Sequence, residues 1–164
     1  MQVETVRFYD PGTLQDDTLK LVLRRTYKGS RSLGLTPNYA FDMKHTDTGD
    51  HMGEIDLRLS NEHHVTHYIG HIGYGVVRAF RGQHYAARAC RLLLPLAKLH
   101  GLSPLWITCN PDNMPSRKTC ERVGGVLAEI VAVPPQSDLY RRGEREKCRY
   151  RIDLSGLAVP EIRP

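Results

Sequence analysis

The chain has no C-x-x-C pair: its four cysteines, Cys90, Cys109, Cys120 and Cys148, stand apart in apolar or helical surroundings. That spacing argues against a zinc site or a disulfide framework and leads us to expect buried free thiols in a cytosolic protein. There is also no apolar run approaching the roughly 20 residues of a membrane span. The opening MQVETVRFYD lacks the basic-then-apolar pattern of a secretion signal. A soluble, cytoplasmic protein with no membrane partner is expected. Internal repeats, low-complexity linkers, an RNA-binding sheet signature and a helix-turn-helix are all missing. The formal charge of +5 is scattered over Arg24, Arg25, Lys28, Arg31, Arg78, Arg81 and a later cluster at Arg141, Arg142, Arg145 and Lys147. Dispersed solvated charge is therefore expected, and no nucleic-acid partner.

What is present is enough for one domain. The 164 residues can bury about two thirds of the unfolded surface and support a concave site. Residues 1–154 read as that domain and 155–164, with Pro160 and Pro164, as a loose tail. VETVRFY (3–9) reads as a strand ended by DPG. Thr13 and Asp16 resemble a helix-start box ahead of LKLVLRRTY. NYAFDMKH (38–45) and HMGEIDLRLS (51–60) alternate around TDTGD and predict an antiparallel hairpin. A strand over 66–77, a helix over 84–100, a short strand over 104–108, a helix over 113–125 closed by glycine, and strands over 126–133 and 145–154 complete the order. The fold class is α/β, an α+β mixed sheet with helices on its faces.

The stretch GYGVVRAFRGQHYAARAC (73–90) is the informative one. A strand ends near Arg78, Gly82 permits a tight bend, and a helix starts near His84 and Tyr85. The first N–H groups of a helix have no partners within it, and with the helix dipole they make an anion site. On the residues alone, a phosphate-binding turn and a purely structural one both remain open.

The segment 76–87, VVRAFRGQHYAA, resembles the acetyl-CoA motif of the GNAT N-acetyltransferase superfamily, Q/R-x-x-G-x-G/A, with Arg81 at the first position and Ala86 at the last. NPDNMPSRKTCERVGG (110–125) is similar to that superfamily's later element. The resemblance covers about residues 40–154. It implies a central, mostly antiparallel sheet splayed between the strand before the Arg81 loop and strand 104–109, with acetyl-CoA as co-substrate and no metal. Val76, Val77 and Arg78 would pair with the pantetheine arm as an added strand would. Arg81, Gly82, Gln83, His84, Tyr85, Ala86 and Ala87 would hold the pyrophosphate, and Asn110, Asn113 and Ser116 would meet the pantetheine. The implied reaction is direct attack of a primary amine on the thioester in a ternary complex. A non-catalytic acyl-CoA-binding regulatory module of the same fold is the alternative reading.

Two positions depart from the pattern. His84 stands where the motif has its central Gly; a helical His84 would keep its backbone N–H available. Cys120 stands where many relatives have Tyr, and reads as a packed thiol. No base falls where relatives place one, because counting back from Arg81 gives Ile72 and Gly70. His71, Tyr74 and Glu54 are the side chains considered for proton transfer, beside a bound water. His63, His64, His67 and His71 have spacings that on a helix would suit a metal, but the segment reads as a strand, which separates His67 and His71 by two pleats, and no metal site is expected. The acceptor is expected between residues 27–37 and 134–144, whose positive charges favour a small-molecule or peptide amine on a neutral or acidic molecule over a polyamine. A homodimer is also among the readings, because relatives of this kind often dimerise.

Overall fold

The structure is a computed structural model that describes residues 6–159. Its first sheet has five strands in the order β1 (Leu14–Asp16), β2 (Leu19–Tyr27), β3 (Asn38–His45), β4 (His51–Arg58) and β5 (Ile72–Val76). Helix α1 (Tyr85–Leu99) then leads to a second sheet, formed by β6 (Leu105–Cys109), β7 (Val126–Ala132) and β8 (Glu146–Ile152) in the order β6-β8-β7. Helix α2 (Met114–Arg122) connects β6 to β7, and a single turn, α3 (Asp138–Arg141), precedes β8. Every strand pairing among the described residues is antiparallel. No helix among them is long and apolar enough to cross a membrane.

The hairpin expected at 38–60 forms as β3 and β4, with Phe41 opposite Ile55. The helix expected after Asp16 does not form. LKLVLRRTY is β2, with Leu19 and Leu21 buried and Lys20 exposed, a period of two that serves a sheet against a core and not a helix. The Asp16 carboxylate does accept the Leu19 N–H, at 3.3 Å, but there it closes the β1–β2 turn. It also holds Arg88 of α1 through two bonds of 2.5 and 3.0 Å, fixing the helix on the sheet.

The strand expected over 3–9 lies partly outside the described residues, and Val6–Tyr9 belong to no strand. Instead the Tyr9 N–H donates to the Tyr39 hydroxyl at 2.8 Å, and Phe8 packs edge-on against the same ring. The core lies between the sheets and α1, where Tyr39, Phe41, Met52, Ile55, Leu93, Leu105 and Tyr150 are fully or almost fully buried. All four cysteines are buried free thiols in it.

The largest departure is at 65–69. Val65–Ile69 form one π-helical turn, closed by the Gly70 N–H bonding to the Val65 carbonyl at 2.7 Å, and the strand starts only at Ile72. His63 and His67 therefore lie on one side of the turn, where their rings stack 3.8 Å apart. Gly70 leaves the turn at φ 74°, and a Cβ there would stand 3.0 Å from the Thr108 nitrogen. Only glycine permits both that backbone and that approach, so the turn sits directly on β6.

Candidate active site

The two sheets are joined at one end and open at the other. At the joined end the His71 N–H donates to the Trp106 carbonyl at 2.7 Å, the Thr108 hydroxyl to the Tyr68 carbonyl at 2.7 Å, and the Arg149 Nε to the Thr66 carbonyl at 3.1 Å. Beyond it β5 and β6 share no ladder, and a cleft of about 990 Å³ opens between them. Its walls run from Tyr74 and Val76 on β5, past Gly82, His84 and Ala86, to Cys109 at the end of β6, Asn110 after it and Ser116 on α2.

The mouth is lined with unpaired backbone donors. After a 3₁₀ turn at Arg78–Phe80, Gly82 and His84 both take left-handed backbone, at φ 84° and 63°, and α1 begins. The first hydrogen bond of the helix runs from Arg88 to the His84 carbonyl. The six consecutive N–H groups from Gly82 to Ala87 have no hydrogen-bond acceptor among the described residues. Successive unpaired amides around left-handed residues at a helix start form a concave anion receptor. The Arg81 Nε donates to the Val76 carbonyl at 2.9 Å, which anchors the guanidinium beside them.

At the second motif, the Asn113 carboxamide caps α2 by accepting the Ser116 N–H at 3.2 Å. The Ser116 hydroxyl meets the Tyr74 hydroxyl at 2.7 Å, joining α2 to β5 across the cleft. The helix closes with the Gly125 N–H bonded to the Cys120 carbonyl at 2.9 Å.

A family model for the acetyltransferase (GNAT) domain matches residues 1–126. The chain belongs to the GNAT acetyltransferase family. No curated protein sequence matches it. Solved structures share the GNAT fold at low identity. A putative ribosomal-protein-serine acetyltransferase from Vibrio cholerae is 15% identical with a TM-score of 0.62, over 89% of this chain and 99% of that one. The RimL ribosomal L7/L12 alpha-N-protein acetyltransferase, in complex with coenzyme A, is 12% identical with a TM-score of 0.62, over 86% and 97%. The microcin C7 self-immunity acetyltransferase MccE, in complex with acetyl-CoA and AMP, is 17% identical with a TM-score of 0.55, over 71% of this chain. This GNAT chain spans 61% of the length of MccE, less than two thirds.

Within this GNAT site the side chains considered for proton transfer are dispersed. His71 is fully buried at the joined end and does not line the cleft. Its Nδ1 accepts the Trp106 N–H at 2.9 Å, so Nε2 carries the proton and donates to the Asn61 carboxamide oxygen at 3.1 Å. Both ring nitrogens are thus engaged, Nδ1 across to the second sheet, and burial brings the imidazole down to about 4. Glu54 is exposed, lies outside the cleft and is paired with Arg24 at 3.0 Å. Tyr74 lines the cleft; burial raises its phenol above the ordinary value, and its hydroxyl lies beside α2 and Cys120. The Cys109 sulfur and burial both raise the Cys120 thiol, keeping it neutral in the core.

His84 is not helical, contrary to the expectation. It is the residue preceding α1, exposed and left-handed at φ 63° and ψ 20°, and it is the sole non-glycine with positive φ among the described residues. The GNAT motif's glycine thus marks a backbone that histidine adopts only under strain of about 1 kcal/mol. Replacing His84 with Gly is expected to raise stability by up to about 1 kcal/mol in chemical denaturation. Acetyl-CoA affinity by calorimetry should be equal or higher; a large loss would show that the imidazole itself binds the ligand.

Sequence reasoning missed Arg58 and Lys147, which line the cleft, and named the 134–144 loop only as a segment, of which Leu139, Arg142 and Glu144 line it. Arg58 extends over Gly73, donating to the Ile69 and Gly70 carbonyls at 2.7 and 3.1 Å. The alternation of β4 at Glu54, Asp56 and Arg58 was the signal for it. Residues 134–144 reach the cleft, as expected for the acceptor side; residues 27–37 do not. They line a second cavity with Val6, Tyr9 and His100.

Proposed function

We propose that the protein transfers the acetyl group of acetyl-CoA to a primary amine held beside it in the cleft between β5 and β6. The observation that carries this reading is the run of unpaired N–H groups from Gly82 to Ala87 at the mouth of a cleft long enough for an extended arm. Those amides and Arg81 bind the pyrophosphate. The free edge of β5 at Tyr74–Val76, with Asn113 and Ser116 opposite, holds the pantetheine.

Acetyl-CoA supplies a thioester whose carbonyl carbon forms the new C–N bond as the C–S bond breaks. The amine must lose one proton and the thiolate gain one. Neither His71, with both nitrogens engaged, nor Glu54, paired with Arg24 outside the cleft, is free to take the first. A water chain to solvent takes it. Tyr74 donates its hydroxyl hydrogen bond to the departing sulfur, the position that Cys120 leaves unserved. Burial makes this phenol a firm donor and a poor acid, so its role is charge stabilisation, with the proton arriving from water.

Arg58, Arg142 and Lys147 around the cleft favour an acceptor that is neutral or acidic, such as the amine of a peptide or small molecule. The structural neighbours named for ribosomal-protein acetylation make protein N-termini the first acceptors to test. Release of free CoA should be measured with a panel of peptides, small amines and polyamines. Turnover with at least one amine is expected. Saturable acetyl-CoA binding with no turnover across a broad panel would favour the regulatory module instead.

A further inference from the structure

Past Cys109, where β6 ends, the cleft is walled by Asn110, Leu139, Glu144 and Lys147. The Asn110 Nδ2 donates to the Glu144 Oε1 at 3.5 Å, which places the carboxamide beside the carboxylate. Asn110 Oδ1 and Glu144 Oε2 are both buried, and neither has a hydrogen-bond donor among the described residues. Lys147 brings its ammonium within 3.3 Å of Oε2, close enough to balance the charge but without hydrogen-bond geometry. Buried acceptors rarely stay empty in a folded protein, and two together on a cleft wall call for a ligand bearing two donors.

We propose that Asn110 Oδ1 and Glu144 Oε2 are the receptor for the acceptor's primary amine, an inference that rests on the acetyl-transfer reading. A neutral primary amine has two N–H donors for the two oxygens and keeps its lone pair free to attack. Lys147 offsets the carboxylate charge, so the receptor does not demand an ammonium, which could not attack. A tertiary amine, with at most one N–H even when protonated, leaves one oxygen unpaired and is rejected. Glu144 and Asn110 thus set specificity for primary amines, whereas Gly82–Ala87 set affinity for the donor.

The test uses the full chain saturated with CoA, titrated with n-butylamine or with N,N-dimethylbutylamine. It follows the Asn110 side-chain amide signal by NMR, in the wild type and in Glu144→Gln. We expect n-butylamine to move that signal, with the dimethyl compound and the Glu144→Gln variant each binding at least about ten-fold more weakly. CoA affinity of the variant should stay within about two-fold of wild type. Equal binding of the two amines, or no response to n-butylamine in a protein that binds CoA, would overturn the proposal. So would a variant that loses CoA affinity, because the two oxygens would then be serving the pantetheine amides. A wild-type protein that fails to bind CoA would sink the acetyl-transfer reading itself.

Discussion

Tyr74→Phe is expected to lower kcat by about a hundred-fold, with KM for acetyl-CoA within about two-fold of wild type. The hydroxyl lies in the cleft at 2.7 Å from the Ser116 hydroxyl and against α2 beside Cys120. A phenylalanine keeps the ring and its packing and removes the donor proposed for the departing sulfur. Charge develops on that sulfur in the transition state and not in the bound complex, so the loss belongs in kcat. Stability should fall by only about 1 kcal/mol, for one hydrogen bond. A kcat loss below about three-fold would remove Tyr74 from the reaction and leave water or a main-chain donor to serve the thiolate.

His71→Leu is expected to cost about 3 kcal/mol of stability. It strands the Trp106 N–H and the Asn61 carboxamide oxygen at the joint between the sheets. Wild-type stability carries the mark of the same group. Burial holds the folded imidazole at about 4, against about 6.5 when unfolded. The unfolded chain therefore binds this proton first. Stability is full above pH ~6.5 and is lost as pH falls toward 4, by about 3 kcal/mol in all from His71.

Burial also lowers the imidazoles of His67 and His100, so they add to the loss in the same direction. His71→Leu should flatten the slope by up to about 1.4 kcal/mol per pH unit in that window, as measured by urea unfolding at a series of pH values. An unchanged slope would mean that His71 is protonated in the folded protein and that the joint is held some other way.

Much of the fold could be read from local pattern. The β3–β4 hairpin, α1, α2 and β8 each combine a clear period with a turn or cap, and each appears within a few residues of its expected place. The two motifs led to the right family because their chemistry is local: a glycine bend feeding a helix start, and an asparagine cap. The errors arose where tertiary contacts decide. LKLVLRRTY has helix-forming residues behind a cap-like Asp16, but its two inward leucines belong to a strand held between β1 and β3 over the core. The histidine stretch alternates well enough for a strand, yet Gly70 lets it coil into a π-helical turn that only β6 makes worthwhile.

Site residues split along the same line. The pyrophosphate cradle we propose is made of consecutive residues. Glu144, Lys147 and Arg58 reach the cleft from a loop and from two strands far apart in sequence, so no spacing brings the three together. His84 shows the converse case: the motif's glycine position was visible, but the left-handed backbone that explains it appears only in three dimensions.

The central claim is that acetyl-CoA binds with its pyrophosphate on the amides between β5 and α1. The direct measurement is a ¹H–¹⁵N correlation spectrum of the uniformly labelled protein, recorded as acetyl-CoA is added. The amide signals of Gly82 to Ala87 should move furthest and saturate together, with those of Tyr74–Val76 following as the free edge of β5 is paired. Saturation with those six amides unmoved, or no change anywhere in the spectrum, would contradict the account.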